Sequence, residues 1–373
     1  MPTIPNYTVA EINLTNLLEN YRLIRQRVAP AEVMAVIKAN AYGHGAVVVG
    51  KTLAAAGAKY FAVARLSEAL ELIESGLNGT ILLFGSLFPD EMEIALKYGC
   101  RITITCPEDI HLVKQIAGRL DMTAQVHIKV DTGMGRVGLL WDSALEHIKT
   151  VSTQPELFIE GIYTHFATAD MRDKSYVHIQ LQRFQQLLTA IEQAGIRVPY
   201  YHAANSGAIL DLPEAYFNMV RPGIALYGHY PTTDTTESLP LRPVMTLRTV
   251  VAQVRKLPAG VSISYGQRYF TRHETAIAVL PIGYADGVFR SFSNTGKVMI
   301  KGKFYPIVGT VTMDQIMVEI GEDNVQVGDK AFFWGETPDG TISATQVAAQ
   351  IGTIAYELCC AVSRRVPRIY LNK

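Results

Sequence analysis

Cysteine is scarce in this 373-residue chain, which has four: Cys100, Cys106, Cys359 and Cys360. Two are adjacent, none form a CxxC pair, and no histidine cluster flanks them in sequence. That spacing argues against a disulfide framework or a zinc site, so the expectation is buried reduced thiols and no metal. An excess of one charge is also missing, with Lys plus Arg and Asp plus Glu at 34 each. No long run of one sign stands out, which argues against nucleic acid or an anionic membrane as a partner. The opening MPTIPNYTVAEINL lacks the basic and apolar regions of a signal peptide. No stretch approaches the ~20 apolar residues of a membrane span. A soluble cytoplasmic protein is the expectation.

What is present is a large apolar fraction, 49% against 18% charged, enough for a substantial core. At roughly 150 residues per domain, or ~250 for a barrel, two domains are expected. From about residue 32 to 227 the chain alternates short β-rich runs with helical patterns. The strand candidates are 33–38, 60–65, 80–85, 101–105, 124–130, 159–166, 200–204 and a last run around 217–226. Amphipathic stretches lie between most of them. In 175–195, Val177, Leu181, Phe184, Leu188 and Ile191 share one helical face by their three- and four-residue spacing. Eight strand–helix units in series point to a TIM-type (β/α)8 barrel. A doubly wound open sheet is the alternative, disfavoured because no nucleotide-type GxGxxG turn follows the first strand. GMGRVG at 133–138 has three glycines but lacks that context.

After Pro243 the texture changes to β-type runs broken by Gly, Pro, Asp and Asn, with one helical pattern at 343–352. That reads as a separate, mostly β domain. The expected division is an N-terminal segment, 1–10, packing with the C-terminal domain, a barrel over 11–240, and a β domain over 241–373.

VIKANAYGHGA (36–46) places a lysine at the end of the first apolar strand, followed at once by Gly43 and Gly45. In a barrel this puts Lys38 at the C-terminal rim, where active sites collect. Apolar surroundings disfavour the ammonium, and a neutral amine is what Schiff-base chemistry requires. A lone rim lysine is more often a salt-bridge partner, so the surrounding string carries the argument. KANAYGHG resembles the pyridoxal-phosphate (PLP) lysine signature of the alanine racemase family. KVDTGMGRVG (129–138), YTHFATAD (163–170), HAANSGA (202–208), VRPGIALYG (220–228), ISYG (263–266), TMDQ (312–315) and YEL (356–358) follow in that family's order. The resemblance covers essentially the whole chain.

The resemblance implies a PLP-dependent racemase interconverting L- and D-alanine and supplying D-alanine for peptidoglycan. Lys38 carries the cofactor and serves one face of the α-carbon, and Tyr265 of a partner subunit serves the other. The protein is then a homodimer with shared active sites. Ser206, Gly223 and Ile224 would hold the phosphate after strands seven and eight, as such barrels commonly do, with Tyr42 and Tyr356 adding hydroxyls. Arg221 would meet the pyridine nitrogen and, because a guanidinium does not give up its proton, leave that nitrogen unprotonated. His165 would link Tyr265 to Arg221, and Arg136 would contact the cofactor and the substrate carboxylate. Lys129 corresponds to a lysine that the family sometimes carbamylates. Met313 would offer a backbone donor to the substrate, with Asp314 beside it and Tyr284 at the entry corridor.

The string 309–315 departs from the commoner family pattern, holding Thr310 and Thr312 where Arg and Cys or Ser are usual. His44 and His202 are expected to play hydrogen-bonded structural roles. Alternatives are a racemase of serine or another amino acid, a basic amino-acid decarboxylase, and a non-catalytic PLP-binding protein. The second domain with its ISYG tyrosine argues against the last.

Overall fold

The computed structural model describes residues 6–372. Residues 1–5 of the expected N-terminal segment lie outside it. The chain enters through β1 (Val9–Asn13) and α1 (Leu14–Val28), then builds eight parallel strands. These are β2 (Glu32–Val36), β3 (Tyr60–Val63), β4 (Thr80–Leu83), β5 (Arg101–Ile104) and β6 (Ala124–Asp131). A two-residue β7 (Leu139–Leu140) flanks β6, and β8 (Leu157–Tyr163), β9 (Tyr200–His202) and β10 (Met219–Val220) complete the set. The spatial order β5-β4-β3-β2-β10-β9-β8-β6 closes on itself through the β5–β6 pairing. This is a (β/α)8 barrel, and all eight strand candidates are in it.

The strands are nearly continuous apolar runs because both faces are covered, as a parallel barrel requires. Seven are followed by a helix, β6 only after the short β7. The eighth is not: β10 leads only into a 3-10 turn, Ile224–Tyr227, and α1 packs on that turn. The eighth outer position is thus filled by the helix that precedes the first strand. In the long helix Ser175–Gln193, Val177, Leu181, Phe184 and Ile191 are buried as the spacing implies. Leu187 is buried there in place of Leu188, and so is Gln180.

The remaining strands form a second sheet. It comprises β11 (Met245–Val250), β12 (Gln253–Leu257), β13 (Thr275–Leu280), β14 (Lys297–Ile300) and β15 (Lys303–Val308). It continues with β16 (Ile316–Gly321), β17 (Lys330–Thr337), β18 (Gly340–Ile342) and β19 (Arg368–Leu371). β1 lies inside this sheet, antiparallel to β11 and parallel to β19. The N-terminal strand is therefore sewn into the C-terminal sheet, and it runs to Asn13, past the expected boundary at residue 10. β17, which the sequence patterns did not reveal, carries the fully buried Trp334.

Candidate active site

The first barrel strand stops at Val36, and Lys38 does not end it. Lys38 opens a short turn in which Ala39, Asn40, Ala41 and Tyr42 all have φ of 52–54°. Left-handed backbone costs L-residues roughly 1–2 kcal/mol each, and such strain collects at functional sites. Side chains and backbone hold the turn in place. Glu68 accepts from the Ala39 N–H at 2.6 Å, and Asn40 Oδ1 accepts from the Ala46 N–H at 2.8 Å. Gly43 ends it at φ 82°, where a Cβ would lie 2.2 Å from the Cys359 carbonyl oxygen. The turn bends the chain across the barrel mouth, so Lys38 and Tyr42 line the same cavity.

That cavity, about 200 Å³, is lined by Lys38, Tyr42, Lys129, Arg136, Tyr163 and His165, together with Asn205, Ser206, Arg221, Gly223 and Tyr356. Four of these are lysines or arginines, and no carboxylate lines the wall. Burial, reinforced by Arg136, lowers the Lys38 pKa below its ordinary value. Burial also brings Lys129 down to about 7, helped by Arg221 and Arg136. Its ammonium donates to the Val130 carbonyl at 2.7 Å. His165 is held well below the usual imidazole range by burial and by Arg221. A wall of cations with no counter-ion of its own is built for an anionic guest.

One end is shaped for a phosphate. Ser206 opens the helix Ser206–Asp211, capped by the Asn205 side chain on the Ala208 N–H. A Cβ on Gly223 would lie 2.4 Å from the Tyr42 hydroxyl, so any side chain there would have to displace that phenol. Tyr42 packs on Tyr227 and Tyr356 with centroids 5.0 and 5.9 Å apart. The Gly223 N–H points to Ser206 Oγ at 3.0 Å, and the Ala225 N–H shares that oxygen at 3.2 Å. The serine hydroxyl is thereby oriented by two backbone donors, leaving its own hydrogen to donate to a guest.

Arg221 is buried at the far end, over the Tyr163 ring at 5.2 Å. It donates to the Thr164 and Ala203 carbonyls at 2.7 and 3.0 Å and lies 3.4 Å from His165 Nδ1. Burial lowers its pKa to about 10. Arg221 also starts a chain that motif reading missed. Its Nη1 lies 3.0 Å from His202 Nδ1, His202 Nε2 lies 2.9 Å from His127 Nδ1, and His127 Nε2 lies 3.1 Å from Glu160. Arg101 closes the chain on Glu160 at 3.0 Å. A guanidinium only donates, so His202 Nδ1 accepts, and each imidazole in turn donates onward to the carboxylate. Burial lowers the His127 pKa, which makes its contact with Glu160 a hydrogen bond from a neutral ring. Burial alone would raise the Glu160 pKa, yet the hydrogen bonds from His127 and Arg101 outweigh it and bring it to about 2. A polar pair alternating along β6 and β8 inside an apolar barrel was the available signal.

The other expected residues lie elsewhere. Tyr265, Tyr284, Thr310, Thr312, Met313 and Asp314 line a separate depression on the C-terminal domain. Tyr265 is 75% exposed and Met313 50%. The turn bearing Tyr265 is strained, with φ of 65° at Ser264 and 48° at Gln267. It is braced by the two members of an odd pairing: Ser264 Oγ donates to the Thr310 carbonyl at 2.6 Å, and Thr310 Oγ1 to the Tyr265 carbonyl at 2.8 Å. Thr310, a departure from the family pattern, thus supports the tyrosine's backbone. Asp314 pairs with Arg365 at 2.8 Å. Within one chain, then, the link from Arg221 reaches His165 but not Tyr265. Among the expected residues, Ile224 is buried in the 3-10 turn behind Gly223.

A closed barrel whose mouth presents a low-pKa lysine, an anion cradle and a buried arginine defines the class of barrel enzymes that anchor a phosphorylated carbonyl cofactor. Two family models match: "Alanine racemase, N-terminal domain" over residues 12–231 and "Alanine racemase, C-terminal domain" over 244–370. The chain belongs to the alanine racemase family, whose enzymes are PLP-dependent isomerases. It is 47% identical to the alanine racemase of Carboxydothermus hydrogenoformans over 97% of this chain and 99% of that one. The alanine racemase of Methanococcus maripaludis is 44% identical, over 97% and 98%. The alanine racemase structure from Clostridium difficile 630 superposes with a TM-score of 0.93 at 39% identity, covering 99% of this chain and 97% of that one. That from Bartonella henselae, with covalently bound pyridoxal phosphate, does so with a TM-score of 0.89 at 31%, covering 98% and 100%. No helix among the described residues is long and apolar enough to cross a membrane.

Proposed function

We propose that this chain interconverts L- and D-alanine with PLP, by two bases on opposite faces of the α-carbon. The observation that carries the reading is the four-cation cavity with Lys38 at its mouth and no carboxylate in its wall. PLP fits it: the phosphate in the Ser206–Tyr42–Tyr356 cradle, the ring beside Arg221, and the anchoring lysine already biased towards its neutral amine. When bound, PLP supplies the electron sink that makes the substrate α-proton acidic.

The chain's own groups do the rest. Lys38 Nζ takes or returns the proton on one face. Arg221, held by two carbonyls and His202, keeps a fixed donor towards the ring nitrogen. Arg136 at the rim attracts the substrate carboxylate. Lys129, with a pKa of about 7, has an appreciable neutral fraction near neutrality. Its nitrogen is therefore able to attack CO₂, lose a proton and become a carbamate that orients Arg136.

The second base is Tyr265 of a partner subunit. Its exposure, in a depression apart from the Lys38 cavity, supports this placement, because a single chain holds only half the machinery. The assembly is then a closed dimer in which each Lys38 cavity receives the other subunit's Tyr265, with Met313 beside it for the substrate carboxylate and Tyr284 at the entrance. The proposed division is a barrel over 11–240 and a β domain over 241–373, with β1 joined to the C-terminal sheet. A cytoplasmic setting suits the four free cysteines, and D-alanine for peptidoglycan is the natural use of the product.

The test follows α-deuterium exchange and racemisation with L- and D-alanine separately, using the PLP-loaded protein. Exchange in both directions is expected. PLP binding without exchange would favour a carrier, CO₂ release a decarboxylase, and faster exchange with serine a different substrate.

A further inference from the structure

The sequence places no histidine beside Cys359, but the fold does. His44 follows the strained turn after the first barrel strand, His229 follows the barrel's last 3-10 turn, and Cys359 lies on the helix Ala355–Ala361 of the C-terminal domain. Their ligand atoms, one imidazole nitrogen from each histidine and the cysteine Sγ, all lie within 4.8 Å of one another. All three side chains are buried, with His44 and Cys359 at 0% exposure and His229 at 3%.

Two further observations give the cluster a chemistry. Nε2 of His44 and Nε2 of His229 have no hydrogen-bond partner, although both are buried. The tautomer of His44 is also fixed. Its Nδ1 lies 2.9 Å from both the Ala41 and Tyr42 carbonyl oxygens, which only accept, so Nδ1 carries the proton and Nε2 the lone pair. This is how metal-ligating histidines are oriented, one nitrogen donating to a carbonyl and the other free to coordinate. Burial, with His229 adding to it, lowers the His44 pKa to about 3, and burial alone lowers His229 to about 4. Both rings are neutral at pH 7 and need no deprotonation to bind a cation.

We propose that His44, His229 and Cys359 form a structural site for a thiophilic d10 cation, zinc(II) or copper(I), between the barrel and the C-terminal domain. Imidazole and thiolate together suit these ions, whereas hard cations prefer oxygen ligands. At metal–ligand distances of ~2.0–2.3 Å, donors around one ion lie roughly 3.5 Å apart, so small side-chain rotations close the present spacing. Binding forms two metal–nitrogen bonds and one metal–sulfur bond, and releases the thiol proton to solvent. Burial raises the thiol pKa of Cys359, an effect the cation reverses by direct coordination. The ion would staple three segments directly behind Tyr42, the phenol of the phosphate cradle, since His44 is tied to the Tyr42 carbonyl and Gly43 abuts the Cys359 carbonyl. It takes no part in proton transfer.

The test uses untagged holoenzyme expressed in minimal medium supplemented with zinc, copper or cobalt, desalted, and measured for metal by elemental analysis. About one equivalent of zinc or copper per chain is expected. It should be lost in Cys359→Ala and in His229→Gln, and retained in Cys360→Ala, which removes the neighbouring exposed thiol. In the cobalt-grown protein, red-visible d–d bands should be present in the parent and absent from Cys359→Ala. A chelator added during thermal melting should lower the Tm of the parent by several degrees and leave that of Cys359→Ala unchanged. Should Cys359→Ala fail to fold, the His229→Gln variant and the chelator shift of the parent decide. No stoichiometric metal in the parent, or equal metal in Cys359→Ala, would overturn the proposal; a bridging water refined at the cluster in a crystal of the zinc-grown protein would do the same.

Discussion

The Lys38 cavity and the Tyr265 depression are built on opposite principles. Around Lys38 most groups are buried or half-buried and held: a left-handed turn follows the lysine, two carbonyls and a histidine fix Arg221, and Gln180 donates to the His165 carbonyl at 3.2 Å. Around Tyr265 the ring is exposed, and only its backbone is braced, by Ser264 and Thr310. A buried polar site is organised by its own chain. An exposed one is organised by whatever covers it. The difference is what the proposed dimer calls for, with the second half of the active site at an interface between subunits.

The comparison is broken most severely at the two bases. Lys38→Ala should abolish α-deuterium exchange from both enantiomers. Tyr265→Ala should lower it for one enantiomer by about 10²–10⁴-fold, the range of a lost general base, while largely sparing abstraction from the other. Equal residual rates from L- and D-alanine in Tyr265→Ala would remove the two-base assignment.

Next in size is the buried chain behind Arg221. Arg221→Leu leaves the Thr164 and Ala203 carbonyls and His202 without their donor, and should destabilise the protein by about 3 kcal/mol in urea unfolding. Glu160 anchors the other end with a folded pKa of about 2 against an ordinary 4.5. A depressed carboxyl stabilises the fold above its unfolded pKa, so this contribution, of order 2–3 kcal/mol, is complete near pH 6 and fades as pH falls from about 4.5 towards 2. Glu160→Gln should flatten that part of the stability–pH profile. A variant that keeps the full acid limb would show that Glu160 is not its source.

The smallest expected effect is at the brace. Thr310→Val removes the hydroxyl that donates to the Tyr265 carbonyl and should cost about 1 kcal/mol of positioning, roughly a five-fold fall in kcat. PLP affinity, set in the other cavity, should not change. A fall in PLP affinity with kcat intact would reverse the division of labour.

Much of this was legible in the sequence because the physics there is local. Eight buried strands read as apolar runs, and glycine with a flanking lysine marked the barrel mouth. Strand ends were overestimated where the chain turns away with apolar residues still in register: the first strand stops at Val36, not Lys38. Nothing in Ala39–Tyr42 announces a left-handed turn, since its support comes from Glu68 and Asn40 in neighbouring segments. The outer position filled by α1 was invisible because it depends on closure of the ring. Glu160 and Arg101 were missed for the same reason, as they meet only when β5, β6 and β8 lie side by side. Motif strings find residues that face a ligand; they do not find residues that hold those residues still.

The central claim is that one active site takes Lys38 from one subunit and Tyr265 from the other. Mixing the two inactive variants, Lys38→Ala and Tyr265→Ala, through co-refolding tests it directly. Half the dimers formed at random are mixed, and each mixed dimer has one intact site of two, so roughly a quarter of parental racemase activity should return. If the bases belong to the same chain, no mixture contains an intact site, and activity no higher than the sum of the two separate variants would contradict the account.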